Sequence, residues 1–170
     1  ARPRARVGLA QSLRLRHILH MTDFADAARQ TTRALRDLFP RTPMQRNDFL
    51  SRKYGAEIWL KREDLSPVRS YKLRGAYNAM RKVRASHPDQ GHFVCASAGN
   101  HAQGVALGAS KLGCRAVIVM PTTTPQLKVD AVEALGGEVV LIGDSYSDAH
   151  KHAIMLEKKM GMTFVHPFDD

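Results

Sequence analysis

The sequence predicts an α/β fold built on a parallel βαβ sheet, and three observations carry that expectation. Short apolar runs, Phe93-Val94-Cys95-Ala96, Ala116-Val117-Ile118-Val119-Met120, Val139-Val140-Leu141-Ile142 and Met162-Thr163-Phe164-Val165, recur at spacings of about 23 residues. Between them, apolar positions 102, 105, 106, 109 and 112, then 127, 131, 132 and 135, then 149, 153, 156 and 160 follow the three-and-four spacing of amphipathic helices. Gly113, Gly136-Gly137 and Gly161 stand where those helices should stop. Strands alternating with helices at this distance join as parallel neighbours through right-handed crossovers.

Taken in order, the first twenty residues hold Arg2, Arg4, Arg6, Arg14 and Arg16 and no acid. A transit peptide, a disordered arm, or a gene-model extension upstream of a true start at Met21 all fit that composition. From Asp23 to Leu38 the apolar positions 24, 27, 28, 35 and 38 predict a helix, closed by Pro40 and Pro43. Glu57-Ile58-Trp59-Leu60-Lys61 alternates and reads as a strand. Further on, Thr124-Pro125 opens one helix, and Ser145 with Asp148 three residues later resembles a capping box opening the last.

A chain of 170 residues with 44% hydrophobic composition can bury a proper core. No apolar run is long enough to span a bilayer, so no membrane partner is expected. The arm supplies +5 of the net charge of +10; the remaining 21 basic residues are interspersed with 16 acids, which reads as an ordinary solvated surface and not a nucleic-acid face. Cys95 and Cys114 have no metal-ligand spacing and read as reduced cysteines. His150 and His152 face different ways on a helix and His17 and His20 lie in the arm, so no metal site is assigned.

Chemistry concentrates in two stretches. Ser70-Tyr71-Lys72-Leu73-Arg74-Gly75-Ala76 follows the polar turn Glu63-Asp64-Leu65-Ser66-Pro67-Val68-Arg69 and opens a helix with apolar positions 73, 76, 77, 80 and 83. Ser70 is the expected N-cap, which puts Lys72 in the first turn. The positive end of the helix dipole and loss of solvent both disfavour a charged amine there and favour the nucleophilic form used in Schiff-base chemistry. The alternative is an ordinary solvated surface lysine.

The second stretch, Ser97-Ala98-Gly99-Asn100-His101-Ala102-Gln103-Gly104, joins a strand to its helix. Ligands collect at the carboxyl ends of parallel strands, and a helix start there offers amides to an anion. The amides of residues 98 to 101 are thus expected to take a carboxylate or phosphate, with Gly99 admitting close approach and Gly104 and Gly108 letting the helix lie near the sheet. The alternative makes Asn100 a plain N-cap and the glycines packing residues. Nucleotide patterns fail: Val105 and Ala106 stand where a P-loop needs Lys and Ser/Thr, and there is no Gly-x-Gly-x-x-Gly.

Leu60-Lys61-Arg62-Glu63-Asp64-Leu65, Ser70 to Ala76, Ser97 to Gly104 and the closing Phe164-Val165-His166-Pro167-Phe168-Asp169-Asp170 together resemble the threonine dehydratase family of fold type II pyridoxal-phosphate enzymes, whose sheet is like that of tryptophan synthase beta. The resemblance runs from about residue 40 to the end. It implies that Lys72 carries the Schiff base to pyridoxal 5'-phosphate and removes the substrate Cα proton. It also implies that Asn100 bonds the cofactor ring oxygen and that Ser97, Ala98, Gly99, Asn100 and His101 hold the substrate carboxylate. The implied reaction converts threonine to 2-oxobutanoate, or serine to pyruvate, with release of ammonia, the first step of isoleucine biosynthesis. Ala98 stands where related serine racemases have a serine acid/base, which favours elimination over racemisation. Pro67-Val68-Arg69-Ser70-Tyr71-Lys72 is closer to the biosynthetic than to the catabolic form.

The family runs on to a Gly-rich phosphate loop and a partner for the pyridine nitrogen, neither of which occurs here. The expected organisation is therefore an amino-terminal portion: residues 1–20 an arm, 21–80 the start of the large domain, 81–161 a smaller βα lobe, and 162–170 the return to the large domain. Alone it is expected to bind cofactor poorly and to turn nothing over. The resemblance further implies an amino-acid substrate, a homo-oligomeric full-length protein, and a cytoplasmic location, or an organellar one if residues 1–20 are a transit peptide. Competing readings are another β-elimination or β-replacement enzyme of this fold, of serine racemase or cysteine synthase type, or a noncatalytic βα binding module.

Overall fold

The computed structural model describes residues 23–168; the Arg-rich arm, His17, His20 and Asp169-Asp170 lie outside the described residues. The chain divides into two units, 1–40 and 41–170. In the first, residues 23–36 are helical (α1), as the apolar spacing requires, and the helix closes with Leu38 and Phe39 N–H donating to Leu35 O.

The second unit opens with an antiparallel pair, β1 (Met44–Arg46) and β2 (Trp59–Lys61), in which Met44 faces Lys61 and Arg46 faces Trp59. Between them lies the short helix α2 (Asp48–Tyr54), begun by the Asn47 side chain accepting from Leu50 N–H and ended by Gly55 at φ 63. Neither β1 nor α2 is apparent from apolar periodicity. A 3-10 turn, Glu63–Leu65, leads to α3 (Lys72–Ser86).

From there the alternation runs as expected: β3 (His92–Ala96), α4 (Asn100–Lys111), β4 (Arg115–Met120), α5 (Gln126–Glu133), β5 (Glu138–Leu141), α6 (Tyr146–Met160) and β6 (Thr163–Phe164). The strands form one parallel sheet in the order β5-β4-β3-β6. Because side chains alternate along a strand, each strand feeds two cores. Phe93, Cys95, Ala116, Ile118 and Met120 meet Ala76 and Met80 of α3 together with Ala102, Val105 and Ala106 of α4 and Val129 and Val132 of α5. Val94, Ala96, Val117 and Val119 meet Ala149 and Ala153 of α6. Each large aliphatic group buried this way contributes about 1.5–3 kcal/mol. Helices therefore cover both faces, the arrangement a parallel sheet needs.

Two local expectations are corrected. Ser70 does not cap α3: the N-cap is Tyr71, without a side-chain bond. Ser70 is instead drawn into the preceding turn, where Ser66 Oγ donates to Ser70 O at 2.9 Å and accepts Ser70 N–H at 3.0 Å. Gly104 and Gly108 open chiefly onto α3 and not onto the sheet, since a Cβ on Gly104 would meet Leu73 N at 3.0 Å and Lys72 C at 3.1 Å, and one on Gly108 would meet Met80 Cε at 2.6 Å. The expected capping box is present: Ser145 Oγ accepts Asp148 N–H at 3.2 Å. Gly113, Gly136 and Gly161 all adopt positive φ at helix ends. Cys95 is buried, which pushes its thiol pKa up, and Cys114 is half-buried; both are free thiols. No helix of the described residues is long and apolar enough to cross a membrane.

Candidate active site

Strand order locates the site. The chain lays down β3, β4 and β5 in one direction and then returns to place β6 on the other side of β3. At such a reversal the loops leaving neighbouring strands part, and the crevice at their carboxyl ends receives ligand. Here the two loops are Ser97–Gly99 after β3 and Val165–Phe168 after β6. The start of α3 reaches the same place because Gly104 lets α4 touch the backbone of Lys72 and Leu73.

A cavity of about 480 Å³ lies there, lined by Lys72, Ala96, Ser97, Asn100, His101, Tyr146, Pro167 and Phe168. A smaller one of about 140 Å³ shares Lys72, His101, Pro167 and Phe168 and adds Tyr71, Gly75, Ala76 and His166. Lys72, half-buried, stands between them. Its Nζ donates to Pro167 O at 2.6 Å and sits 4.7 Å from the Phe168 ring and 5.5 Å from the Tyr71 ring. A carbonyl oxygen and two aromatic rings thus surround the amine.

Of the residues expected to receive a carboxylate, Ser97 and Asn100 line the large cavity with Lys72. Gly99 is the N-cap of α4, has no side-chain cap bond, and has open space where a Cβ would be. Its own N–H is directed to Ser97 Oγ at 3.2 Å, so that hydroxyl braces the turn from within. Ala98 is half-buried and packs against the core. The His101 ring is buried and its Nε2 contacts Val165 O at 2.9 Å, tying α4 to the end of β6.

Sequence reasoning singled out neither Tyr146 nor Phe168 as site residues. Each is one end of a run of ring contacts, Tyr146 to His150 at 5.9 Å, His150 to Phe164 at 5.5 Å, Phe164 to His166 at 6.1 Å and His166 to Phe168 at 6.0 Å. The signal was the i, i+2 spacing of 164, 166 and 168, which places three rings on one side of an extended segment. His150 thus packs in a ring stack; among the described residues no group of three or more His, Cys, Asp and Glu is placed to hold a metal ion.

Comparison with known proteins points to one family. The profile of the family described as "Pyridoxal-phosphate dependent enzyme" matches residues 35–170. The chain is 56% identical over 133 residues to the biosynthetic, chloroplastic threonine dehydratase of Arabidopsis thaliana, covering 78% of this chain and 22% of that protein. It is 48% identical over 139 residues to the biosynthetic L-threonine dehydratase IlvA of Bacillus subtilis, covering 80% of this chain and 33% of that protein. Among solved structures it is similar to the processed form of threonine deaminase isoform 2 from Solanum lycopersicum, with TM-score 0.72, 50% identity, and 77% and 36% of the two chains covered. It is also similar to maize serine racemase, with TM-score 0.78, 27% identity, and 85% and 44% covered. The chain thus spans between about a fifth and a third of the length of these curated relatives.

Proposed function

From the premise that this chain belongs to the pyridoxal-phosphate dependent enzyme family, we propose that it is the amino-terminal part of a biosynthetic threonine dehydratase. The complete protein converts L-threonine, or L-serine, into the corresponding 2-oxo acid and ammonia, as the first step toward isoleucine. The observation that carries this reading is that the Lys72 amine opens on the same cavity as Ser97 and Asn100, at the switch point of the sheet.

The residues present fit the cofactor. Lys72 is the one lysine among the lining residues, the walls include two aromatic rings, and nothing stands within 4 Å of the position a Cβ on Gly99 would take. Lys72 would hold pyridoxal phosphate covalently, and the Asn100 side chain would bond its ring oxygen. When bound, the cofactor withdraws electrons from the substrate's Cα bonds and so acidifies the Cα–H. Lys72, its amine freed when the substrate's amino group takes its place, would be the base that takes that proton. The amides of Ala98, Asn100 and His101 would bind the substrate carboxylate at the positive end of α4, with Ser97 Oγ bracing the turn through the Gly99 N–H. Ala98 presents no ionisable group, so a proton is not returned from its side, and loss of the β-hydroxyl follows instead of racemisation. Water lost in the elimination is taken up again as the amino group leaves, giving 2-oxobutanoate from threonine.

The division at residues 80 and 161 between a large domain and a smaller lobe belongs to this proposal, as does assembly of the complete protein into a homo-oligomer. So does its compartment, the cytoplasm, or an organelle if residues 1–20 act as a leader, in keeping with the chloroplastic name of the Arabidopsis relative. Supplying the complete protein with cofactor and either threonine or O-acetylserine tests the reading. Formation of 2-oxobutanoate from threonine is the expected result; turnover of O-acetylserine alone would move it to the β-replacement enzymes of the same fold.

A further inference from the structure

The first turn of α3 is gripped from two sides by groups that line neither cavity. On one side Gly104 of α4 touches the backbone of Lys72 and Leu73. On another, Thr42, Glu63 and Arg74 close a ring of hydrogen bonds. Arg74 donates Nε to Glu63 Oε2 at 2.8 Å and Nη2 to Glu63 Oε1 at 2.8 Å, a two-pronged pair. Thr42 Oγ1 donates to Glu63 Oε1 at 2.6 Å and accepts from Arg74 Nη2 at 3.1 Å. Lys61 Nζ donates to the Thr42 carbonyl and lies 4.0 Å from Glu63 Oε1. Thr42 is 4% exposed, and the Glu63 and Arg74 side chains are 18% and 28% exposed, so water competes weakly.

The ring joins the segment before β1, the 3-10 turn after β2 and α3 itself. Arg74 lies two residues beyond Lys72 and so leaves the helix on a different side from the amine. A single bond would fix where the helix lies; a planar fork also resists rotation about the helix axis. Rotation is what matters at the site. A turn of only about 10° moves an amine at the end of a lysine by roughly 1 Å, and a 1 Å misplacement of a reacting group costs about 100-fold in rate.

We infer that Thr42, Glu63 and Arg74 are positioning residues that hold the Lys72 amine in line with the turn at residues 97 to 101, acting through the rotation of α3 and touching neither substrate nor cofactor. The inference rests on Lys72 being the cofactor-bearing lysine. It deepens that reading by naming what aims the amine.

The test uses the complete apoprotein, to which pyridoxal phosphate is added while the visible absorbance of the bound form is followed, together with the visible circular dichroism of the bound cofactor and the thermal midpoint. Glu63→Gln is expected to slow cofactor capture about 10- to 100-fold and to weaken the circular dichroism by about half. In the loaded enzyme kcat falls while KM for the amino acid stays within about twofold. Thr42→Ser, which keeps the hydroxyl, is expected to behave as the unmodified protein, and Thr42→Val to fall between. If Glu63→Gln does not fold, the two Thr42 variants decide alone. Variants that lower the thermal midpoint yet capture cofactor at the unmodified rate and with unmodified circular dichroism would overturn the inference and leave Lys72 in place. A Lys72→Ala protein that develops the same absorbance would remove the functional reading itself, and the inference with it.

Discussion

The two turns that meet at the cavity are built on opposite plans. The one before Lys72 is fixed many times over: Ser66 and Ser70 bond each other, Arg69 is held at φ 54, the Thr42–Glu63–Arg74 ring clamps the helix, and Gly104 abuts its backbone. The one before Asn100 is open. Apart from the bond between Ser97 Oγ and Gly99 N–H, α4 begins without a side-chain cap, and Asn100 is exposed. The difference follows from what each turn must do. A nucleophile works best when its direction is set before the ligand arrives, whereas a helix start that is to bind an anion must keep amides available for it.

Substitutions that exchange the two plans should act unequally. The largest effect is expected from Gly104→Ala, because the added methyl would press on the backbone of Lys72 and Leu73 at 3.0–3.2 Å, which has no rotamer with which to yield. A loss of about 1–3 kcal/mol in unfolding free energy and a fall of roughly 100-fold in cofactor capture are anticipated. Gly108→Ala on the same helix is the control: it meets chiefly the flexible tip of Met80 and should leave capture unchanged. Equal effects from the two would break the comparison.

A middle-sized effect is expected at the open turn. Gly99 has φ −136, which other residues adopt, and free space around its Cβ position. Gly99→Ala should change stability by no more than about 0.5 kcal/mol. It should nonetheless raise KM for the amino acid about tenfold, because the methyl would stand in the open space through which a carboxylate approaches the turn and weaken its hydrogen bonds there. Unchanged KM would mean that the turn does not take the carboxylate.

The smallest effect is a pH dependence of the clamped turn. Bonding to the Arg74 side chain, and next to Thr42, holds the Glu63 carboxyl below the usual carboxylate range, against the opposing pull of burial. A depressed pKa means that the stabilisation is fully present above the unfolded-state value, about 4.3, and is lost as the pH falls through the lower folded value. Denaturant titrations of the complete protein and its Glu63→Gln variant should therefore differ by a constant amount, about 0.5–1 kcal/mol, above pH ~5. The curves should converge in the more acidic range. A difference that stays constant well into acid would show that the Glu63 charge has no part in the clamp.

The contrast also explains what could be read from the sequence. The four parallel strands show in the sequence as short apolar runs and the helices between them as three-and-four spacings, so the order of elements was legible, while the division of Phe93 and Ile118 from Val94 between two cores came only with the sheet. Lys72 and Asn100 were expected at helix starts, and they begin α3 and α4. β1 and α2 were not, since three-residue strands and a seven-residue helix are too short to show a period; only the caps Asn47 and Gly55 marked α2. The clamp was hidden for another reason. Thr42, Glu63 and Arg74 are polar letters 21 and 11 positions apart, and no local pattern links them. Ser70 was misplaced as a cap because a serine one residue before the true N-cap carries the same signature, and only the bonds to Ser66 show which backbone it serves.

The direct test of the central claim is to load the complete protein with pyridoxal phosphate, reduce it with borohydride and map the modified peptide by mass spectrometry. The cofactor's mass on the peptide that contains Lys72, lost in Lys72→Ala, is the expected result. Stoichiometric attachment to any other lysine, with Lys72 unmodified, would contradict it.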